Sequence, residues 1–417
     1  MPFIEIVGEK QLNGEVNIQG SKNAVLPILA ATVLVNGITK INRCPKILDV
    51  YHMIKILEGI GCIVTWEGSS VIVNTTNLST TVVPGELAKS MRSSIVLLGS
   101  LLGRAKEVTI PYPGGCTIGE RAIDFHLDAM KLMNVTIEEK DGLIHGFTSG
   151  LKGKTIRFQK PSVGATQNTI LAAVLAKGTT YIHNAAREPE ITELCKFLNA
   201  AGAKIYGAGS DLIEVYGVER LYDVEYTNAP DRIVTGTYLA AVVGAGGEVI
   251  LNGADSTQLE EVIQLLERIG ATIITTKDTI MISSFYRPRP IPYLETMPYP
   301  GFPTDMQSQV ISVLMKSSGT SVIKETIFDG RFQNVNEQIK FGADILVNDQ
   351  IATVKGVRRL TGCEVYASEL RGGAALVIAG LMAEGKTRIY NPNFIERGYE
   401  DICRDFRSLG ARISYIA

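Results

Sequence analysis

Nothing in this chain is apolar for long enough to cross a bilayer. The longest nearly unbroken apolar run, Ala24 to Val35, already contains Pro27 and Thr32, and a spanning helix needs about 20 apolar residues. The first residues carry Glu5, Glu9 and Lys10 and no apolar stretch of the secretory kind, so a cytoplasmic protein without a membrane partner is expected. An excess of one charge is missing too. The 41 Lys and Arg against 43 Asp and Glu leave a net charge of −2, which excludes the bulk basic surface that binds nucleic acid by counterion release. Histidine is scarce: His52, His126, His145 and His183 have no metal-ligand spacing, so no metal is expected and each reads as structural. The 6 cysteines, Cys44, Cys62, Cys116, Cys195, Cys363 and Cys403, include no C-x-x-C pair, and they read as reduced thiols rather than a disulfide framework.

Present in quantity are apolar residues, 45% of 417, enough for packed cores and a length that suggests two or three domains. Their arrangement is repetitive. A short amphipathic helix ending in Gly, once Asn, and followed by a β-like run recurs six times, with the marked residue at Gly61, Asn134, Gly202, Gly270, Gly342 and Gly410. The spacing is about 70 residues throughout, the signature of a repeat architecture, and the slot is what a left-handed helix C-cap requires. Each repeat also holds a second helix that is apolar nearly all round, as in Thr169 to Ala176, Tyr238 to Val243 and Ala374 to Ala383, and such helices are buried. Six units over this length predict two domains of three repeats: an α/β fold turned inside out, with helices buried and sheets around them. The split falls near Ala229-Pro230, and the opening strands, Phe3 to Val7 and Gly14 to Ile18, close the C-terminal set. That gives one domain of residues 1–20 with 230–417 and another of 21–229, joined by two parallel connections that form a hinge.

The charges follow the repeat. Counting back from the turn that ends each apolar helix lands on Lys22, Arg92, Gly164, Arg232, Asp305 and Arg371. Basic residues at the start of otherwise uncharged helices oppose the helix dipole, by roughly 0.3–1 kcal/mol each, so a polyanionic ligand accounts for them better than chance does. Asp305 is the exception and reads equally as a helix N-cap or as a general base facing a basic cleft. Cys116 lies among Pro and Gly with Arg121 close by. A loop thiol near cations has a lowered pKa and is nucleophilic. One match is a decoy. Gly380 to Thr387 fits the G-x-x-x-x-G-K-T phosphate loop letter for letter, but an apolar helix precedes it and a β-like run follows, the reverse of the required order.

The segments Gly20-Ser21-Lys22-Asn23-Ala24, Pro113-Gly-Gly-Cys116-Thr-Ile-Gly-Glu-Arg121, Lys160-Pro-Ser162-Val163-Gly164, Pro303-Thr-Asp305-Met-Gln and Arg397-Gly-Tyr-Glu400 together resemble the UDP-N-acetylglucosamine enolpyruvyl transferases. The resemblance runs from the first residue to the last. It implies a transferase without a cofactor, acting on phosphoenolpyruvate and UDP-N-acetylglucosamine in the first committed step of peptidoglycan synthesis, for which a monomer suffices. It further implies roles: Lys22, Asn23, Arg121 and Arg397 on phosphoenolpyruvate, with Arg92 and Arg371 in support. Asn23, Arg92, Arg121, Ala122, Ile123, Asp124, Phe125, Lys160, Ser162, Val163, Gly164, Asp305 and Ile327 line the nucleotide-sugar site. Cys116 is then the proton donor and the thiol that fosfomycin alkylates, and Asp305 the base; with Lys22 and Arg397 they form the catalytic set. One position departs. Glu369-Leu370-Arg371 stands where the family has Asp-Leu-Arg, which moves a carboxylate by about 1.5 Å, and a misplacement near 1 Å can cost ~100-fold. The alternatives are a shikimate-pathway sister enzyme, against which the Pro-Gly-Gly-Cys loop argues, and a non-catalytic paralogue, against which Lys22, Cys116, Asp305 and Arg397 argue.

Overall fold

The computed structural model of the chain describes residues 1–114 and 123–417. One repeat illustrates the rest. The helix Lys22–Ala31 buries nine of its residues, as its lack of a polar face requires. It leads into the strand Ile38–Asn42, the half-exposed helix Leu48–Gly59 and the hairpin Ile63–Glu67 with Ser70–Asn74. The strand pairs antiparallel with the second hairpin arm, Ile38 opposite Asn74. A fourth strand, Val224–Thr227, joins the other edge in parallel, Val224 opposite Thr39. Five four-stranded sheets share this order. The sixth, built on Glu107–Pro111, has three strands, with a single parallel bridge from Val82 to Thr109 at the corresponding edge.

The N-terminal strands complete repeats that begin elsewhere. Phe3–Val7 lies between Lys386–Tyr390 and Arg412–Ile416, and Leu12–Asn17 adds in parallel to Gly247–Asn252. The chain divides into two compact units, one of residues 1–19 with 230–417 and one of 20–114 with 123–229. Each has its own apolar core and three sheets, with buried helices inside and sheets outside. In the first unit the helices Arg232–Ala245, Gln307–Leu314 and Leu370–Met382 pack against one another in all three pairings.

The recurring slot after each half-exposed helix behaves as its residue type demands. Gly61, Asn134, Gly202, Gly270, Gly342 and Gly410 all have φ between +74° and +117°, a region costly for side chains other than Asn and Asp. The decoy also resolves. Gly380 lies within the helix Leu370–Met382 and Lys386 opens a strand, so no helix N-terminus is there to receive phosphate.

Candidate active site

In the first unit the helix starts converge on Asp305. This residue sits in the 3-10 turn Thr304–Met306, which leads into Gln307–Leu314, and no side chain caps either element. The cap reading of Asp305 is therefore not realised. Its carboxylate is instead clamped. Arg331 donates to Oδ1 at 3.0 Å, and Arg371 donates to Oδ2 from Nη2 at 2.9 Å and from Nε at 3.2 Å. Both guanidiniums are nearly covered, at 2% and 4% side-chain exposure, whereas Asp305 keeps 26%. The open edge of the site is thus the carboxylate's own. Burial by itself would raise the Asp305 carboxyl, but Arg371, Arg331 and Arg232 outweigh it and hold it well below the usual carboxylate range.

Arg331 was invisible to the helix-start count because it opens the short 3-10 helix Arg331–Asn334, which is not one of the apolar helices. It binds the Thr304 carbonyl through Nε and Nη2, at 3.1 and 3.0 Å, and so fixes the turn that carries Asp305. Glu325, fully buried, sets the other side. It accepts from the Thr304 hydroxyl and from the backbone N–H of Ile327, at 2.8 Å, and of Phe328. Glu369 is the N-cap of Leu370–Met382. It accepts from the N–H of Arg371 at 2.7 Å and from that of Gly372, and its other partner is Arg331 Nη1 at 3.8 Å. The longer side chain therefore still caps the helix and still faces the clamp. Arg397 follows the short helix Asn393–Glu396. Gln19 pins its loop, donating to the Gly398 carbonyl at 3.0 Å and accepting from Glu400 N–H at 2.9 Å. Tyr399, bonded to Thr237 at 2.8 Å, brings this loop against Arg371.

The second unit holds Lys22, Asn23, Arg92 and the expected nucleotide-sugar segments. Lys22 is the first residue of its helix, capped by Ser21. Its ammonium meets Asp49 at 2.8 Å, where Asp49 is 2% exposed. Asp49 lies in the first turn of Leu48–Gly59, where a carboxylate is favoured, so the second helix offsets the dipole cost of placing Lys22 on the first. No sequence signal singled out Asp49. Arg92 opens the 3-10 helix Arg92–Val96. Ile123, Asp124 and Phe125 lie at the start of Asp124–Leu132, and Phe125 packs on Phe158 with ring centroids 5.9 Å apart. That contact brings the segment to Lys160–Gly164, where Ser162 caps Val163–Ala173. Cys116, Arg121 and Ala122 lie outside the described residues. Of the remaining thiols, Cys62, Cys195, Cys363 and Cys403 are pushed by burial to between about 11 and about 12, which makes them poor nucleophiles. No cluster of metal-binding side chains occurs among the described residues, and no helix among them is long and apolar enough to cross a membrane.

Comparison with known proteins places this geometry. Residues 6–406 match the family model described as EPSP synthase (3-phosphoshikimate 1-carboxyvinyltransferase). UDP-N-acetylglucosamine 1-carboxyvinyltransferase 2 of Caldanaerobacter subterraneus is 47% identical over 99% of both chains. The UDP-N-acetylglucosamine 1-carboxyvinyltransferase of Acinetobacter baylyi is 43% identical over 99% of both. Among solved structures, the enolpyruvyl transferase NikO from Streptomyces tendae superposes with a TM-score of 0.90 at 24% identity, covering 99% of this chain and 98% of its own. EPSP synthase from Acinetobacter baumannii gives 0.76 at 16% identity over the whole of both chains. These two share the fold; the curated relatives share the sequence as well. By that sequence and by its fold, the chain belongs to the UDP-N-acetylglucosamine 1-carboxyvinyltransferase family of enolpyruvyl transferases.

Proposed function

We infer that the chain transfers the enolpyruvyl group of phosphoenolpyruvate to the 3-hydroxyl of UDP-N-acetylglucosamine, releasing phosphate, in the cytoplasmic stage of peptidoglycan synthesis. The observation that carries this reading is the full-length identity of 47% to a carboxyvinyltransferase of that substrate. The cationic helix starts fit it, since both substrates are polyanions. Lys22, Asn23, Arg121 and Arg397 hold phosphoenolpyruvate, supported by Arg92 and Arg371. Ile123 to Phe125, Lys160 to Gly164 and Ile327 hold the nucleotide sugar, with Asn23, Arg92, Arg121 and Ala122.

The chemistry is an addition followed by an elimination. A proton goes to the methylene carbon, the sugar oxygen bonds to the enol carbon, and the hydroxyl proton leaves. The tetrahedral adduct then loses phosphate from that carbon and a proton from the new methyl group, restoring the double bond. Cys116 is the proposed donor. Asp305 is the proposed acceptor, and its depressed pKa limits when it acts. A carboxylate held so low is a weak base toward a neutral alcohol. Once the oxygen has begun to bond to carbon, however, its proton becomes strongly acidic and a weak base suffices. Asp305 therefore orients the hydroxyl first and takes its proton late.

The test is phosphate release from phosphoenolpyruvate with UDP-N-acetylglucosamine as acceptor, run beside shikimate 3-phosphate. Release is expected with the nucleotide sugar alone, and fosfomycin should abolish it while adding one adduct at Cys116. Turnover of shikimate 3-phosphate instead, or an adduct on Cys44 or Cys363, contradicts the reading.

A further inference from the structure

The helix Val163–Ala173 begins with first-turn amides that have no acceptor inside the helix. Ser162 satisfies the next two, its hydroxyl taking the Ala165 N–H and its carbonyl the Thr166 N–H. The Val163 and Gly164 amides remain for something else. Against this turn lies His126, which the sequence offered only as a structural histidine and which is 5% exposed.

The proton on its ring can be placed by its neighbours. The fully buried Asn168 amide is oriented by two backbone groups: Oδ1 accepts from Gly99 N–H at 2.6 Å, and Nδ2 donates to the Ile95 carbonyl at 2.8 Å. The second Nδ2 hydrogen points to His126 Nδ1 at 2.9 Å. Nδ1 is therefore an acceptor, and a neutral imidazole carries its hydrogen on Nε2. Burial, reinforced by the Arg92 cation, keeps the ring neutral by lowering its pKa to about 3.

Among the described residues nothing accepts the Nε2 hydrogen, and this nitrogen is not one of the fully covered unpartnered atoms, so it is open to a group from outside. The ring edge lies on the helix start itself. A Cβ at position 164 would stand 3.0 Å from His126 Cε1 and 3.1 Å from Nε2. Glycine there lets the imidazole close onto the turn where the free amides are. We propose that the Nε2–H of His126 is a third donor, beside the Val163 and Gly164 amides, to the diphosphate of the nucleotide sugar. This rests on the nucleotide-sugar reading above. It also gives the absence of a side chain at 164, the one helix start of the six without a charge or a charged neighbour in register, a reason of its own: an uncharged donor replaces the cation.

The competing account is that His126 serves only to hold Asn168. Two substitutions separate them. In His126→Gln the amide nitrogen takes the place of Nε2 and keeps the outward donor. In His126→Asn the amide group takes the place of Nδ1 and keeps the Asn168 partner. Calorimetry with UDP as probe and steady-state kinetics on the full chain read the outcome. His126→Asn should weaken UDP and raise KM for UDP-N-acetylglucosamine about tenfold or more, with KM for phosphoenolpyruvate unmoved. His126→Gln should recover most of that loss. The proposal is overturned if His126→Asn binds UDP within threefold of wild type, or if Gln is weakened as much as Asn. Should His126→Asn fail to fold, the 15N-labelled ring of the wild type decides: the Nε2 proton must shift downfield when UDP is added, and an unmoved resonance overturns the proposal. A wild type that binds UDP but fails to turn over its N-acetylglucosamine conjugate would instead refute the functional reading, leaving the UDP result to judge His126.

Discussion

A carboxylate that meets Arg331 on one oxygen and Arg371 on the other exchanges basicity for a fixed direction. The two guanidiniums depend on it in turn, because each is buried. Asp305→Asn should therefore do two things at once. It should lower stability by roughly 2–4 kcal/mol, the cost of a broken buried pair reduced somewhat for the partly open carboxylate. It should also lower kcat at least about 100-fold, the scale of general-base assistance, when assayed well below its melting temperature. An intact kcat would leave Asp305 a structural anion and move the base elsewhere, with Glu369 the next carboxylate on the clamp. At this scale the sequence was partly readable. Asp305, Arg371, Lys22 and Arg92 could be found because they recur at one slot of the repeat. Asp49, Glu325 and Arg331 could not, because each acts by pairing with a residue distant in the chain, and pairing leaves no periodic trace.

Elements were more legible, since helix burial and capping are local physics. The six left-handed slots show this most directly, and they allow a clean measurement. At Gly342, with φ of +84°, a Cβ would meet nothing within 4 Å, so a substitution there reads backbone strain without a clash. Gly342→Ala should cost about 1–2 kcal/mol, whereas Gly342→Asn should cost clearly less, as Asn134 already occupies the same slot at φ of +74°. Urea denaturation of both variants checks the order. Equal losses would mean that the slot is not selected by conformation. The pattern assigned the opening strands to the C-terminal set, but not which strand takes the parallel edge of each sheet. Two of these parallel edge strands, Val224–Thr227 beside Ile38–Asn42 and Leu12–Asn17 beside Gly247–Asn252, come from remote parts of the chain and are fixed by tertiary packing.

At the scale of the whole molecule, one buried histidine gives the stability a dependence on acid that a single fluorophore can follow. All 4 histidines, His52, His126, His145 and His183, belong to the unit of residues 20–229. So does Trp66, the 1 tryptophan, which packs on Tyr51 with ring centroids 5.8 Å apart. Its fluorescence therefore reports the unfolding of that unit. His126 is held near pKa about 3 when folded, against about 6.5 when unfolded. The sign follows from linkage: below pH 6.5 the unfolded chain binds a proton that the folded one refuses, so stability falls as pH falls, down to about 3. One such site loses about 1.4 kcal/mol per pH unit within that window. Urea midpoints from Trp66 should accordingly drop between pH 7.5 and pH 5, by an amount equivalent to about 2 kcal/mol. His126→Gln removes the titrating group and should flatten this slope. If wild type and variant lose stability in parallel, the His126 ring is charged in the folded protein, and a donor of the neutral kind cannot stand at the start of Val163–Ala173.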